Sequence, residues 1–294
     1  MILGTLLVDK PIGPTSHDIV DVIRRGTGLR RVGHAGTLDP LASGLLVICL
    51  GSATRLSEYL LAKDKRYTAR VRFGQSTNTY DAAGRIMENQ HGLPAQAEVE
   101  AALEHFRGDY LQRPPNFSAI RRGGERSYDR ARRGEEFDLE PRTVQIYKLE
   151  MSTWEPPFCD LEVHCSAGTY IRSLAHDMGQ ALGCGAHLAG LRRIASGNFK
   201  IDQAVTLETL QGAFIRRDWK KYVLAPDVGL NDWPVINIPA ELVKGVQNGN
   251  PIPLKDDDPT VDWARGYTPA GEFIAVLRAD YDTGIWQPHK VLAN

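Results

Sequence analysis

Hydrophobic and polar residues alternate along several segments of this chain, and the period of each pattern predicts its secondary structure. Segments 66–73 and 159–166 alternate with a period of two, which is typical of strands with one buried face. The uninterrupted apolar run at 45–50 predicts a fully buried strand. Across 99–106 the apolar residues recur at helical spacing, and a similar inner stripe predicts a helix over 170–182.

Both ends of the chain add elements to this pattern. The sequence predicts a short strand at 5–8, and a helix that begins at 15–18 and buries Ile19, Val20 and Ile23. Strand-like runs at 235–238 and 273–277 follow near the C-terminus. Strands and helices are interspersed and the alternation is clean, so the predicted fold class is α+β, with a mixed, largely antiparallel sheet flanked by helices.

A domain boundary is predicted where proline and glycine interrupt the pattern between Ala225 and Pro239. The prediction is a main domain over 1–228 and a small β domain over 235–294. Within the latter, the acidic run 256–258 is expected to be a solvated loop.

Composition limits the possible classes of function. The chain has 294 residues, 42% of them hydrophobic and 24% charged, with a formal net charge of -1. Any role in nucleic-acid binding must therefore depend on a local basic surface. No apolar stretch approaches about 20 residues, and the first apolar run is too short for a signal peptide. The four cysteines form no Cys-x-x-Cys pair and are expected to be buried free thiols in a reducing cytoplasm.

The segment 33–44 is the strongest candidate for a catalytic loop. It holds one carboxylate, Asp39, among glycines, and Pro40 biases Asp39 toward an extended conformation just before the buried strand. Such a carboxylate could serve as nucleophile, general base or metal ligand, although an Asp-Pro pair can also be a simple tight turn. No histidine or acid cluster stands at ligand spacing, so neither a metal nor another cofactor is expected.

Two further residues are candidates, each with a simpler alternative. Arg172 falls near the first turn of the predicted helix, where a cation is unfavourable unless an anion lies close. It is either an exposed arginine or the partner of a carboxylate that it keeps ionised and oriented. Tyr67 shares the apolar face of its strand, so it either packs in the core or supplies a phenol to a site.

Three motifs resemble those of the TruB family of RNA pseudouridine synthases. The pattern Gly-His-x-Gly-Thr-Leu-Asp-Pro-x-Ala-Ser-Gly-Leu-Leu at 33–46 resembles the catalytic-loop motif of that family. The segment 168–172 resembles its second core motif, and 7–16 its N-terminal motif. The resemblance is dense from about Gly4 to Gly197. It implies the pseudouridine-synthase fold and, less distinctly, a C-terminal domain similar to the small RNA-binding PUA domain.

The resemblance also implies a set of site residues. Asp39 would be the nucleophile or base, paired with Arg172, and Tyr67 would stack on the uracil and handle its C5 proton. His34 would fill the space that the flipped nucleotide leaves in the RNA stack. The other residues expected to line the substrate site are Lys10, Tyr170 and Leu191.

An arginine-rich stretch in the middle of the chain predicts an RNA-binding flap. Its arginines are interleaved with aromatic residues, a combination suited to phosphate contacts and base stacking, although a solvated charged loop is the alternative. The preceding segment 112–120 resembles the start of the family's thumb insertion, which would span about 108–140. The arginines expected to bind RNA are Arg121, Arg122 and Arg126.

The expected function is isomerisation of a uridine to pseudouridine in the T-loop of tRNA (position 55 of the tRNA). The thumb favours a stand-alone tRNA enzyme over the guide-RNA-dependent relatives, which lack it. The enzyme is expected to be a cytoplasmic monomer that binds the T stem-loop and no membrane. Two alternatives remain open. The chain could be an RNA chaperone or binding protein that uses the same site without catalysis. It could also be a carboxylate hydrolase of glycosidic bonds, although no partner acid for Asp39 is obvious in the motifs.

Overall fold

The computed structural model of the chain describes residues 4–89, 92–117, 121–122, 125–126, 133 and 139–292. Contacts divide the chain into two units. The first unit comprises Met1–Leu38, Leu45–Leu61 and Gly197–Asn294, and the second comprises Asp39–Gly44 and Ala62–Ser196.

The described residues form helices and strands at the positions that the sequence predicts. The helices are α1 (Ser16–Thr27), α2 (Ser57–Leu61), α3 (Gln96–Leu103), α4 (Ile171–Ala181), α5 (Leu207–Arg216) and α6 (Val243–Gln247). The strands are β1 (Gly4–Lys10), β2 (Val32–His34), β3 (Ala42–Leu50), β4 (Lys65–Phe73), β5 (Gln75–Thr77), β6 (Ile86–Asn89), β7 (Gly108–Gln112), β8 (Arg121–Arg122), β9 (Glu125–Arg126), β10 (Arg142–Glu155), β11 (Phe158–Cys165), β12 (Ala186–Ser196), β13 (Phe199–Lys200), β14 (Val205–Thr206), β15 (Val223–Leu224), β16 (Val235–Asn237), β17 (Ile252–Pro253), β18 (Trp263–Tyr267), β19 (Phe273–Asp280) and β20 (Ile285–Val291).

The second unit is built on a sheet in the strand order β12, β4, β11, β10, β7, in which neighbouring strands are antiparallel. The first residues of β3 pair in parallel with β12, so the sheet is mixed. Residues of β4 alternate between buried and exposed along most of the strand, as the period of two predicts. Helix α4 buries an apolar stripe that includes Leu174 and Met178. These observations confirm the α+β class and the largely antiparallel sheet.

The first unit contains two sheets. In one, β1 lies between β3 and β14, with β2 paired to β3 and β15 paired to β1. Helix α1 begins as predicted, because Thr15 and Asp18 form a reciprocal capping box and Ile19, Val20 and Ile23 are buried. The second sheet has the order β16, β18, β19, β20, β17 and encloses its own core, which includes Ile236, Leu277 and Trp286.

The C-terminal sheet confirms that 235–294 contains the predicted β structure, whereas the boundary at 228–235 stays a prediction. The segment before it is anchored to the sheet, because the buried Asp227 accepts a hydrogen bond from Arg265 Nη1 at 2.9 Å. One expectation is wrong in part: Asp258 is not simply solvated. It accepts a hydrogen bond at 2.8 Å from the buried Trp286 indole N–H, which needs a polar partner inside the domain.

Two predictions from composition can be compared with the structure. All four cysteines are buried free thiols. Burial raises the pKa of the Cys49 thiol to about 12. Within the described ranges, none of the helices is long and apolar enough to cross a lipid bilayer.

Gly44 is required where β3 meets β12. Its φ is +99°, and a Cβ on Gly44 would overlap the backbone carbonyl of Arg193, the residue opposite it. We expect Gly44→Ala to destabilise the protein by at least about 1–3 kcal/mol, which is the cost of a strained backbone before any overlap is added. Urea unfolding measures this. Gly183→Ala is the control, since Gly183 has a φ of +68° but no atom within 4 Å of the position that a Cβ would take. Equal destabilisation in the two variants would show that Gly44 is needed for its φ alone.

Candidate active site

The loop that carries Asp39 is fixed on both sides of the carboxylate. Just before it, the Leu38 N–H donates to the Ser16 hydroxyl at 2.8 Å, and that hydroxyl donates to the Leu38 carbonyl at 3.0 Å. Just after it, the Ala42 N–H donates to the Asp39 carbonyl at 3.0 Å and closes a turn. The Asp39 side chain is 39% exposed. A carboxylate on a rigid turn with part of its surface accessible can meet a substrate in one orientation.

The ion pair predicted between Arg172 and Asp39 is present. Arg172 lies in the first turn of α4, and its Nε is 2.9 Å from Oδ2 of Asp39. The contact lacks hydrogen-bond alignment at Nε, so it is an electrostatic pair. Two backbone carbonyls orient the guanidinium: Nη1 donates to Thr79 at 3.2 Å and Nη2 to Phe117 at 2.8 Å. Because the Arg172 side chain is only 7% exposed, this cation is held in place beside the carboxylate.

Asp81 is a second carboxylate on Arg172, and no role for it is predicted from the sequence. Its Oδ2 lies 3.6 Å from Arg172 Nη1, and its side chain is 8% exposed. The turn is fixed by Thr79, whose hydroxyl donates to Asp81 Oδ1 at 2.7 Å. Tyr80 stands between them at a φ of 64° and stacks on the His176 ring with centroids 3.8 Å apart.

Tyr67 is buried, and its cross-strand neighbour is charged. It lies opposite Arg193 in the β4–β12 pair. Burial raises the pKa of Tyr67, and the negative charge of the nearby Asp39 raises it further, whereas Arg193 lowers it. The second unit therefore contains the predicted Asp39–Arg172 pair, while the role of Tyr67 stays a prediction, and the burial of Arg193 beside Tyr67 was not foreseen.

Tyr170 and Leu191 also lie in the second unit. Tyr170 precedes α4, and the buried Gln112 amide clamps its backbone, accepting from its N–H at 2.7 Å and donating to its carbonyl at 3.0 Å. The Arg142 guanidinium carbon is 5.0 Å from the centre of the Tyr170 ring. Leu191 is half-buried and pairs in the sheet with Ala42. The contacts of both residues with substrate stay predictions.

His34 and Lys10 belong to the first unit. His34 ends β2, where it is half-buried and lies opposite Ile48 of β3. Lys10 is fully buried, and its ammonium donates to the carbonyls of Pro11 and Pro14, each at 2.8 Å. In this conformation Lys10 orders the loop that follows β1 and presents no surface to a ligand. The contact of Lys10 with substrate therefore stays a prediction, and the burial of Lys10 does not support it.

The predicted thumb is described only in part. Its backbone forms a small hairpin in which β8 and β9 pair antiparallel, with Arg121 opposite Arg126. The side chains of Arg121, Arg122 and Arg126 lie outside the described part of the chain, as do most of residues 118–138.

Among the residues that the structure describes, no group of three or more His, Cys, Asp and Glu side chains could hold a metal ion. The assembled groups are one accessible carboxylate, one fixed cation and one buried phenol. A carboxylate kept charged by arginine can attack an electrophilic carbon, and a phenol within the same site can carry a proton.

Two family models match the chain. The family model described as TruB family pseudouridylate synthase (N terminal domain) matches residues 24–171. The model described as tRNA pseudouridylate synthase B C-terminal domain matches residues 172–226.

Relatives and solved structures match over almost the whole chain. The tRNA pseudouridine synthase B of Solibacter usitatus is 41% identical over 93% of this chain and 94% of its own length. That of Pseudomonas aeruginosa is 39% identical over 100% of this chain and 97% of its own. A structure of an H/ACA RNP bound to a substrate RNA containing 2'-deoxyuridine matches with a TM-score of 0.74 and 27% identity, covering 99% of this chain and 85% of that one. The chain therefore belongs to the TruB family of pseudouridylate synthases.

Proposed function

We propose that this protein isomerises one uridine in the T-loop of tRNA to pseudouridine, with Asp39 as the group that attacks the substrate. The observation that carries the proposal is the Asp39–Arg172 pair, in which an accessible carboxylate faces a guanidinium that is fixed by Asp81 and two carbonyls. The relatives named tRNA pseudouridine synthase B support the reaction and the class of RNA.

The reaction exchanges one bond to the ribose for another. The N1–C1′ bond of uridine breaks, the base turns within the site, and a C5–C1′ bond forms. Asp39 is placed to act on the sugar or on the ring, and Arg172 keeps it charged and pointed. The polar groups around the Asp39 charge are then already in place and need not reorganise during the reaction. Such preorganisation is the main source of electrostatic catalysis.

Tyr67 has a separate task in this proposal. Once the C5–C1′ bond has formed, C5 still carries its proton, which must leave. Tyr67 is buried within the influence of the Asp39 charge, and we assign removal of that proton to its phenolate form.

RNA binding is assigned to several parts of the chain. His34, Tyr170 and Leu191 would hold the flipped nucleotide, and the 108–140 thumb would clamp the T stem-loop. The C-terminal sheet over 235–294 would act as a PUA-like RNA-binding domain. The protein would act without guide RNA, because the predicted thumb is the feature that guide-dependent relatives lack. We also propose that it acts in the cytoplasm as a monomer.

Tritium release tests the proposed function directly. An unmodified tRNA transcript labelled with tritium at uracil C5 should release label into water when the protein is added, since the hydrogen at C5 is displaced once the C5–C1′ bond has formed. A second transcript, with cytidine in place of the T-loop uridine, should release none. Release from both would contradict the T-loop assignment, and tight binding with no release from either would favour an RNA chaperone. Free uracil would indicate a glycosidic hydrolase.

The thumb assignment predicts a change in the salt dependence of tRNA binding. Replacing Arg121, Arg122 and Arg126 by alanine should weaken binding and reduce the slope of log affinity against log salt by about 0.7 for each phosphate that is no longer bound. A matched control removes three positive charges near the end of α5, at Arg216, Lys220 and Lys221. Filter binding at several salt concentrations measures both. Equal slopes in the two variants would show that only net charge matters.

A further inference from the structure

Arg193 is the most deeply buried cation of the second unit among the residues that the structure describes. It is only 1% exposed, although an arginine is always charged and costly to bury without partners. Residues directly opposite each other in an antiparallel pair place their side chains on one face, and Arg193 is opposite Tyr67. Because arginine has only donors, the Tyr67 oxygen can only accept from this neighbour.

The charges around Tyr67 explain why a cation is needed there. From the catalytic loop comes the negative charge of Asp39, and from β11 comes the Cys165 thiol; both raise the pKa of Tyr67, as burial does. From β12 comes Arg193, which opposes them through its charge and its hydrogen bond. Lys65 lies on the same strand as Tyr67, and burial together with the charge of Arg193 lowers its own pKa to about 8. Without Arg193, an anion on Tyr67 would form in a buried site beside another anion.

We infer that Arg193 is a positioning residue for the second half of the reaction: its buried guanidinium holds the Tyr67 oxygen and stabilises it as the phenolate that removes the C5 proton. This inference rests on the proposed function. It assigns Arg193 to one step only, and leaves attack by Asp39 and formation of the C5–C1′ bond independent of it.

The step balances in protons and electrons. After C5 has bonded to C1′, the ring has a C6=N1 double bond and C5 still carries hydrogen. Because its pKa is raised, Tyr67 is a phenol at rest and first gives its proton to water. The C5–H bond then breaks and its proton passes to the phenolate oxygen, which restores the phenol. The bond pair forms C5=C6, and the C6=N1 pair moves to N1, which takes a proton from water.

The test compares two substitutions of Arg193 with one of Arg66. Arg193→Met removes the cation. Arg193→Lys keeps the charge but loses the planar guanidinium donors, and it is the second variant in case Arg193→Met does not fold. Arg66→Met on the neighbouring strand β4 is the matched control, because adjacent strand residues point to opposite faces and Arg66, which precedes Tyr67, is exposed. With uridine in the RNA at pH 7, turnover should fall about 10- to 100-fold in the Arg193 variants and stay within about twofold in the control.

Two measurements show whether Arg193 acts through Tyr67. The first is the pH profile: turnover by the variants should recover as the pH rises, since more Tyr67 ionises. The second is the isotope effect: the variants should act more slowly on C5-deuterium than on C5-hydrogen substrates, whereas the unsubstituted protein should show no such difference. The pH profile alone does not decide, because Lys65, whose pKa is lowered to about 8, also loses its proton as the pH rises.

RNA with 5-fluorouridine separates this step from the earlier ones. Fluorine cannot leave C5 as a proton, so rearrangement of that base needs no phenolate, and the Arg193 variants should rearrange it as fast as the unsubstituted protein. Equal slowing on uridine and 5-fluorouridine, with no isotope effect, would overturn the inference and leave Arg193 a structural residue. If the unsubstituted protein rearranges neither base, the proposed function fails instead.

Discussion

Asp39→Asn is expected to abolish pseudouridine formation while tRNA still binds. The amide is close to the carboxylate in size and fits the same turn, yet it carries no charge and is a poor nucleophile or base. Loss of a group that acts at the reacting atoms typically costs at least about 10³-fold in turnover. Tritium release from C5-labelled tRNA measures turnover, and filter binding with the same RNA measures affinity, which should change by no more than a few-fold.

Asp160→Asn is the matched control for this experiment. Asp160 is also a partly exposed aspartate of the second unit paired with an arginine, with its Oδ2 3.4 Å from Arg70 Nη1. It lies on β11 in an ordinary surface ion pair, so its removal should leave turnover within about twofold. Turnover by Asp39→Asn within tenfold of the unsubstituted protein would remove Asp39 from the chemistry. If Asp39→Asn promoted tRNA folding as well as the unsubstituted protein does, that result would favour the chaperone alternative.

Local patterns account for most of what the sequence could predict. The alternation at 66–73 depends only on which face of a strand is buried, and β4 occupies Lys65–Phe73. The start of α1 follows from a capping box within four residues. In each case the information lies within one turn or one strand, so the sequence contains it directly.

The candidate site was predicted from less direct information. Elementary electrostatics required an anion near Arg172, but only the family resemblance identified Asp39 as that anion. The structure then supplied partners that no local pattern reveals: the carbonyl of Thr79 is 93 positions away from Arg172 in the chain, and that of Phe117 is 55. These contacts depend on strand register across the sheet, which is set by the whole fold.

Arg193 is a second residue whose contacts could not be predicted from the local sequence. Two adjacent arginines at the end of a motif would ordinarily be read as surface charge, since arginine is rarely fully buried. Alternation along β12 buries one and half-exposes the other. Only the register with β4, which places Arg193 opposite Tyr67, shows that the buried one has a phenol as its neighbour.

Replacing Arg172 should have the second large effect, and it should act on both stability and turnover. Arg172→Met leaves the 8%-exposed Asp81 carboxylate without its cation, and removing one partner of a buried ion pair costs about 3–5 kcal/mol. Asp39 would also lose the charge that orients it, so turnover should fall at least about 10²-fold. Urea unfolding measures the change in stability, and tritium release measures the change in turnover.

The double variant Arg172→Met with Asp81→Asn distinguishes the two roles of the arginine. The amide introduced at position 81 would carry no charge, so the cost of burying an unpaired carboxylate disappears. The stability of the double variant should therefore return toward that of the unsubstituted protein. Turnover should not return, because Asp39 still lacks its cation. If stability and turnover recovered together, Arg172 would serve only to neutralise Asp81, and the electrostatic role assigned to the Asp39–Arg172 pair would be wrong.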